Sequence, residues 1–277
     1  MGRFYRNYFN LTIIYVILTL GAITMVFPFL WMISTAFKPP SEVEAYPPYW
    51  IPKTPTIANF TEVLNRAPIH IYLLNTLLVS TCVTLLVLFF CSLSGYVFAK
   101  LELPGKNILF LLILGKLMVP FQVTVIPLYL LINKLGLGDS LIALILPFMI
   151  GAFGIFFMRQ FIISIPDELI DAARIDGCGE FGIYWRIILP SIRSALLTLA
   201  IITFMDSWGQ YFWPLIVIRS PSKMTIELGL AFFTNQYFTD YGPMMAGAFI
   251  SLVPVILVFI ALQNRMIESI THTGLKG

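Results

Sequence analysis

Charge is what this sequence has least of. Only 11% of its 277 residues are Asp, Glu, Lys or Arg, against about a quarter in a soluble globular domain. Too few charged side chains remain to clothe a surface in water, and no polar stretch is long enough to form a soluble domain. Cysteine is scarce as well. Cys82, Cys91 and Cys178 are odd in number and form no CxxC pair, which excludes a disulfide framework and a zinc site. Cys82 and Cys91 lie in apolar runs and read as small core hydrophobes. The two histidines, His70 and His272, have no second ligand at metal spacing. There is no Lys/Arg run, and the net charge is a modest +3, so nucleic acid is not a partner. The phosphate-binding pattern GxxxxGK[ST] is missing: Gly105-Lys106 and Gly115-Lys116 lack both the upstream Gly and the following Ser or Thr. HExxH and GxSxG are missing too, and no nucleophile is paired with a base, so the chain does not read as an enzyme.

What is abundant is apolar sequence, 58% of residues with a mean hydropathy of +0.89. A membrane-spanning helix needs about 20 mostly apolar residues. Six segments qualify, near 11–37, 70–99, 107–133, 140–163, 191–218 and 244–264. Hydrocarbon offers no partner for backbone polar groups, so these segments should be helices. The expectation is an all-α membrane protein with six transmembrane helices. The first segment is too long for a signal-peptide core and lacks a small-residue cleavage site, so it reads as a retained span. Pro28, Pro120, Pro127, Pro147, Pro214 and Pro254 fall inside the spans, where proline often kinks a helix.

Basic residues set the orientation. With the N-terminus in the cytoplasm, ten Lys/Arg fall on the inside, six on the outside, and Lys116 within a span. Both termini are then cytoplasmic. Two outside segments are long. The stretch 38–69 is rich in proline and reads as an irregular loop with a short helix near 59–65. The stretch 219–243 carries Tyr237, Asp240 and Tyr241, placed to cap a translocation path.

The inside segment 164–190 is the most informative. Ser164 and Asp167 have the spacing of a reciprocal capping pair, Pro166 suits a first helical turn, and Gly177 suits a left-handed stop. The result is a short helix of about three turns. Leu169, Ala172, Ala173 and Asp176 recur at helical spacing and form a narrow, small face with acidic residues around it. Small residues let a helix enter a cleft closely. An acidic face is repelled by anionic lipid, so the reading is a helix that docks on a protein.

These residues resemble a known family. Asp171-Ala172-Ala173-Arg174-Ile175-Asp176-Gly177, then Ile187-Ile188-Leu189-Pro190, look like the EAA loop of binding-protein-dependent ABC importer permeases. Asp171 stands in place of the usual Glu. Cys178 replaces a common Ala, and Ser194 stands where a second Pro is frequent. Phe27-Pro28-Phe29, Asn75-Thr76-Leu77, Pro120-x-Gln122, Phe157-Met158-Arg159-Gln160, Trp213-Pro214-Leu215 and the tail 271–277 extend the similarity over nearly the whole chain, closest to the maltose-type second permease subunit. Ser269 and His272 depart from the tail pattern. The resemblance implies a single permease domain over 1–277, with a cytoplasmic coupling loop at 164–190 between spans four and five. It implies contact with an ATP-binding subunit through Asp171, Ala172, Ala173, Asp176, Gly177, Leu189 and Pro190. It also implies the partners: a homologous second permease, a dimer of ATP-binding subunits that use ATP and magnesium, an extracytoplasmic substrate-binding protein and the bilayer. No cofactor is expected on this chain itself. Relatives of this kind carry mono- and oligosaccharides, polyols and glycerol phosphates.

Inside the spans, Lys116 and Asp206 are the exceptional charges. Buried membrane charges are paired or face a cavity. Either these two pair in the bundle interior, or Lys116 snorkels to the headgroups and Asp206 faces water alone. Trp208 and Gln210 lie beside Asp206. With Asn75, Gln122, Lys116 and Asp206 they form the candidate substrate path. Tyr211, Phe212 and Trp213 read as an aromatic belt at the outer interface. The rival reading is an ion-coupled secondary transporter with Lys116 and Asp206 as a proton relay, which would have no use for the 164–190 helix.

Overall fold

Long apolar runs without capping polar residues fold here as helices, which continue through Pro28, Pro127 and Pro254 and break near Pro120 and Pro190. The computed structural model describes residues 2–233 and 239–273, with side chains from 11 to 231, at 233 and from 239 to 261. Tyr237 and residues 274–277 lie outside the described residues, as do the side chains of Arg3, Arg6, Arg265, Ser269 and His272. In chain order the helices are α1 (Gly2–Ala36), α2 (Pro40–Val43), α3 (Ala58–Arg66), α4 (Ile69–Lys100), α5 (Lys106–Lys116) and α6 (Phe121–Lys134). There follow α7 (Leu141–Ile145), α8 (Ala152–Ile163), α9 (Asp167–Ile175), α10 (Glu180–Ile183), α11 (Leu189–Ser191) and α12 (Arg193–Trp208). The last are α13 (Phe212–Val217), α14 (Ile226–Leu230) and α15 (Tyr241–Thr273).

Three helices are apolar and long enough to cross a bilayer: Leu11–Ala36, Ile69–Lys100 and Tyr241–Ala261. The other three apolar segments fold as bent helix pairs, each a broken span or a re-entrant loop. Lys106–Lys116 meets Phe121–Lys134 at 100°, Leu141–Phe148 meets Ala152–Ile163 at 44°, and Glu180–Ser191 meets Arg193–Trp208 at 79°. Apolar length alone does not register such breaks. Pro120 forces Val119 out of helical geometry and opens the first break. Pro190 has no N–H for the carbonyl four residues back, and the turn ahead of it, Tyr184–Ile188, is widened to π spacing. The helix pair that covers the fifth apolar segment expected at 191–218 therefore begins earlier, at Glu180, and its last helix stops at Trp208. Phe212–Val217 is a separate short helix.

The chain divides into two compact units. The first comprises residues 1–69 and 230–253. Within it, the most apolar window of α1 buries none of its residues. The Asn59 amide, on the short helix expected in the proline-rich loop, donates to Ala36 O (2.9 Å) and Lys38 O (2.8 Å) and so satisfies carbonyls left free at the end of α1. The Lys38 amine lies 4.0 Å from the centre of the Trp31 ring. Arg66 pairs with Asp240 at 2.9 Å.

The second unit comprises residues 70–229 and 254–277. Here α4 and α8 pack backbone to backbone. A side chain at Gly95 would put its Cβ 2.8 Å from Met158 Cβ, and one at Gly154 would sit 2.7 Å from Cys91 Sγ. Small residues that bring helices this close are a mark of membrane packing. Trp213 is fully buried and donates its indole N–H to Ala143 O at 2.9 Å, with Phe121 and Phe148 around its ring. Trp213 is thus a core residue of this unit and not part of an interfacial belt.

Candidate functional site: a cavity and an anchored short helix

Two features of the second unit concentrate function. The first is a cavity of about 630 Å³. Its walls come from α4 through Val79, Val83 and Val87, and from α12 through Leu199, Thr203 and Asp206, each set at helical spacing, with Gln210 just past the end of α12. Phe121, Phe148, Phe153 and Trp213 supply rings, and Thr124, Ser207 and Thr225 supply hydroxyls. Two of the three helix breaks, around Lys116–Phe121 and Phe148–Ala152, open onto it. Non-helical backbone survives at membrane depth only where protein or a water-filled cavity satisfies it. The breaks and the cavity therefore explain each other.

Lys116 and Asp206 both line the cavity and both are exposed to it. Among the described residues no ion pair within 4.0 Å joins them. Lys116 is not mid-helix; it ends α5 at the break. Gln210 lines the cavity too. Asn75, Gln122 and Trp208 are not among its lining residues. Asn75 donates instead to Ser222 O (3.0 Å) and Met224 O (2.9 Å). Gln122 is exposed at the start of α6. Trp208 is buried with its ring 5.5 Å from that of Phe204.

The second feature is α9. Pro166 occupies the position before the helix and no side chain caps it. The expected capping pair does not form, because both members are engaged elsewhere. Ser164 Oγ donates back to Phe161 O (2.7 Å) at the end of α8, and Asp167 receives Lys100 Nζ at 2.6 Å. The stop is as expected. Gly177 adopts φ +83°, Gly177 N–H bonds to Arg174 O (3.0 Å) and Cys178 N–H to Ala173 O (2.9 Å). This paired closure of the last turn needs a left-handed residue, which glycine supplies without strain.

The four residues expected on one small face divide. Ala173 turns inward with Ile170 and is buried; Leu169, Ala172 and Asp176 stay exposed, together with Glu168 and an 87% exposed Ile175. Ala173 lies at the edge of the stripe, one step of helix rotation from Ile170, and the footing on the chain's own core claims it. Burying Ile170 stabilises that footing by about 2 kcal/mol. Asp171 is exposed and accepts from Arg174 Nη1 at 3.1 Å. Leu189 is half-buried and Pro190 exposed.

Tyr96, Lys100, Arg174 and Glu180 tie α9 to the rest of the unit. Arg174 Nε donates to Glu180 Oε1 (2.9 Å), and Tyr96 hydroxyl donates to Glu180 Oε2. Lys100 Nζ also donates to Ile165 O at 2.5 Å. The Lys100 hydrogen bond and charge hold the Asp167 carboxyl below the usual carboxylate range, and Glu180 raises Arg174 further above its ordinary value. Spacing along the chain does not point to these partners, since Tyr96 and Glu180 are 84 residues apart. The one local signal was an acid at the start of a helix just after the Gly177 stop.

An all-helical membrane protein with broken spans around a cavity and a short anchored helix at one end is built as a transporter subunit. The chain belongs to the family described as binding-protein-dependent transport system inner membrane component, whose model matches residues 92–267. It is 36% identical over 268 residues to the arabinooligosaccharides transport system permease protein AraQ of Halalkalibacterium halodurans, covering 94% of this chain and 96% of that protein. It is 34% identical to the lactose transport system permease protein LacG of Rhizobium radiobacter, covering 92% of each. It is 30% identical to the sn-glycerol-3-phosphate transport system permease protein UgpE of Yersinia pestis, covering 94% and 95%. A chain in the crystal structure of a bacterial ABC transporter involved in the import of the acidic polysaccharide alginate shares the fold, with a TM-score of 0.81 at 22% identity over 91% of this chain and 95% of that one. The family is one of transport components, not enzymes. Nothing in it supports the ion-coupled rival.

Proposed function

We propose that this chain is one of two membrane-spanning subunits of an ATP-driven importer of carbohydrate, a mono- or oligosaccharide or a related polyol. It crosses the inner membrane six times, each bent pair counting as one span, with both termini and α9 on the cytoplasmic side. A homologous permease completes the pathway. A dimer of ATP-binding subunits, using ATP and magnesium, supplies the energy, and a binding protein delivers sugar at the outer face. The roles of the relatives, transport of arabinooligosaccharides and of lactose, support carbohydrate as the class, and transport of sn-glycerol-3-phosphate supports a related polyol.

The cavity is this subunit's share of the substrate path. Rings such as Phe121 and Phe148 suit the C–H faces of a sugar, and Thr203, Asp206, Ser207 and Gln210 suit its hydroxyls. Lys116, across the break in the third span, is a further hydrogen-bond donor to it.

The observation that carries the coupling half of the proposal is the uncovered face of α9. Glu168, Leu169, Ala172, Ile175 and Asp176 are exposed, although the helix has a firm footing through Ile170 and Ala173. An acidic, small-centred face beside an exposed isoleucine suits a groove on a protein partner. Asp171, Gly177, Leu189 and Pro190 shape and support that contact. The test is Ala172→Arg. The transporter purified through a tag on this chain should lose its ATP-binding subunits and its uptake, while the chain itself keeps its expression and melting temperature. Retention of those subunits with normal uptake would refute the docking.

A further inference from the structure

Three residues of α4, at successive turns, bond to the segment that carries α9. Ser92 Oγ lies 2.8 Å from the Tyr184 hydroxyl, Tyr96 donates to Glu180, and Lys100 donates to Asp167 and to Ile165 O. The spacing of four residues places Ser92, Tyr96 and Lys100 on one side of the helix. The contacts reach opposite ends of α9. Asp167 is its first residue, and Glu180 lies just past its Gly177 stop, holding Arg174 in the last turn through 2.9 Å.

The three groups are built as fixed points. Tyr96 is 2% exposed, and a buried tyrosine hydroxyl needs a partner. Glu180 is that partner, with Arg174 on its other oxygen. The Lys100 side chain is 6% exposed and meets the carbonyls that end α8 before it meets Asp167. One attachment would leave α9 free to pivot. Two attachments at its two ends fix its direction relative to α4. Farther along the same helix, Val87, Val83 and Val79 form a wall of the cavity, beginning roughly 20 Å from Lys100 at helical rise.

We propose that Tyr96 and Lys100 form a two-point joint between α9 and α4, with Glu180 as the positioning residue that carries the Tyr96 side, so that movement of α9 becomes tilt of a cavity wall. The inference rests on the reading of α9 as the docking helix. It adds the route by which displacement reaches the cavity, and it assigns that route to three residues outside the docking face.

The test uses the assembled transporter, purified with its own partner permease and ATP-binding subunits. A reporter form has Cys82, Cys91 and Cys178 replaced by Ala and carries Thr203→Cys in the cavity. The rate of maleimide labelling is compared without nucleotide and after trapping with ATP, magnesium and vanadate. Tyr96→Phe and Glu180→Gln should each shrink the ATP-driven change in labelling by on the order of tenfold, the scale of one lost hydrogen bond to a charged group. The double variant should be no worse than either single one, because both cut the same link. Lys100→Met, which leaves the Tyr96 link intact, should lose the response as well. In all of them the ATP-binding subunits should co-purify in normal amount. An undiminished response in Tyr96→Phe and Glu180→Gln overturns the joint, and one in Lys100→Met overturns its two-point character. Losses that add, or that follow a fall in melting temperature, mark the residues as merely structural. If the parent reporter shows no ATP response, the docking reading itself has failed. If the parent responds and the variants respond equally, only the joint has failed.

Discussion

The two ends of α4 are tied to the second unit by different chemistry. At the Lys100 end long side chains reach partners that stay partly wet, the Asp167 side chain 76% exposed and Glu180 46%, and Lys100 also takes the Ile165 carbonyl. At the Asn75 end most of the bonds run between side chains and backbone. Asp139, held at φ +50°, accepts Arg219 N–H (2.9 Å), Ser220 N–H (3.0 Å) and Ser220 Oγ–H (2.5 Å). Asn75 takes two carbonyls of the same segment, and Thr76 Oγ1 accepts Ile226 N–H at 2.8 Å. Arg219 reaches the Tyr129 hydroxyl at 2.7 Å. One end therefore closes on itself and consumes its own polar groups. The other holds a short helix firmly while leaving a face uncovered. A chain that had to satisfy only itself would have no reason to build the second arrangement.

The contrast can be broken or sharpened by substitution. Ala173→Leu should have the largest effect on stability, about 2 kcal/mol, because an enlarged side chain is forced into the packed underside of α9. Chemical denaturation in detergent would measure it. Ala172→Arg, one residue away on the uncovered face, should leave that stability unchanged. Asp139→Ala should release the Arg219 and Ser220 amides and raise their hydrogen-exchange rates by about tenfold, with exchange in α9 unaffected. Trp213→Phe, near the same end, removes a single indole hydrogen bond to Ala143 O and should cost about 1 kcal/mol.

The smallest effect expected is that of mild acid. Asp139 is held well below the usual carboxylate range, chiefly by the Ser220 hydroxyl and then by the two backbone N–H groups; Lys100 depresses Asp167. A depressed folded value means that each carboxylate contributes stability above its unfolded pKa of about 3.9 and loses it as pH falls through the folded value. Between pH 7 and 5 both ends should therefore be unchanged by hydrogen exchange. Loosening of either end within that range would contradict the assigned contacts.

Local signals are legible in this sequence and distant ones are not. The Gly177 stop, the helix near Asn59 and the apolar segments were legible, because each depends on a few neighbouring residues or on sustained composition. The bends were not, because a run of apolar residues looks the same whether the helix continues or turns by 100° at Pro120. Ser164 and Asp167 had the spacing of a capping pair, but Lys100 lies 67 residues away in sequence and claims Asp167. Ala173 was placed on the docking stripe because periodicity cannot tell which edge of a narrow stripe turns inward. Of the polar residues expected to line the path, Lys116, Asp206 and Gln210 meet at one cavity, whereas Asn75 is spent on backbone carbonyls. The joint through Tyr96, Arg174 and Glu180 had no pattern along the chain to betray it.

The central claim, that α9 is the contact for an ATP-driven partner, is tested most directly by a photo-crosslinking amino acid in place of Ile175, the most exposed of the helix's large apolar residues. Irradiation of the intact transporter in membranes should join this chain to an ATP-binding subunit, with capture weakened by Ala172→Arg. Capture of lipid alone, in a transporter that still imports its sugar, would contradict the account.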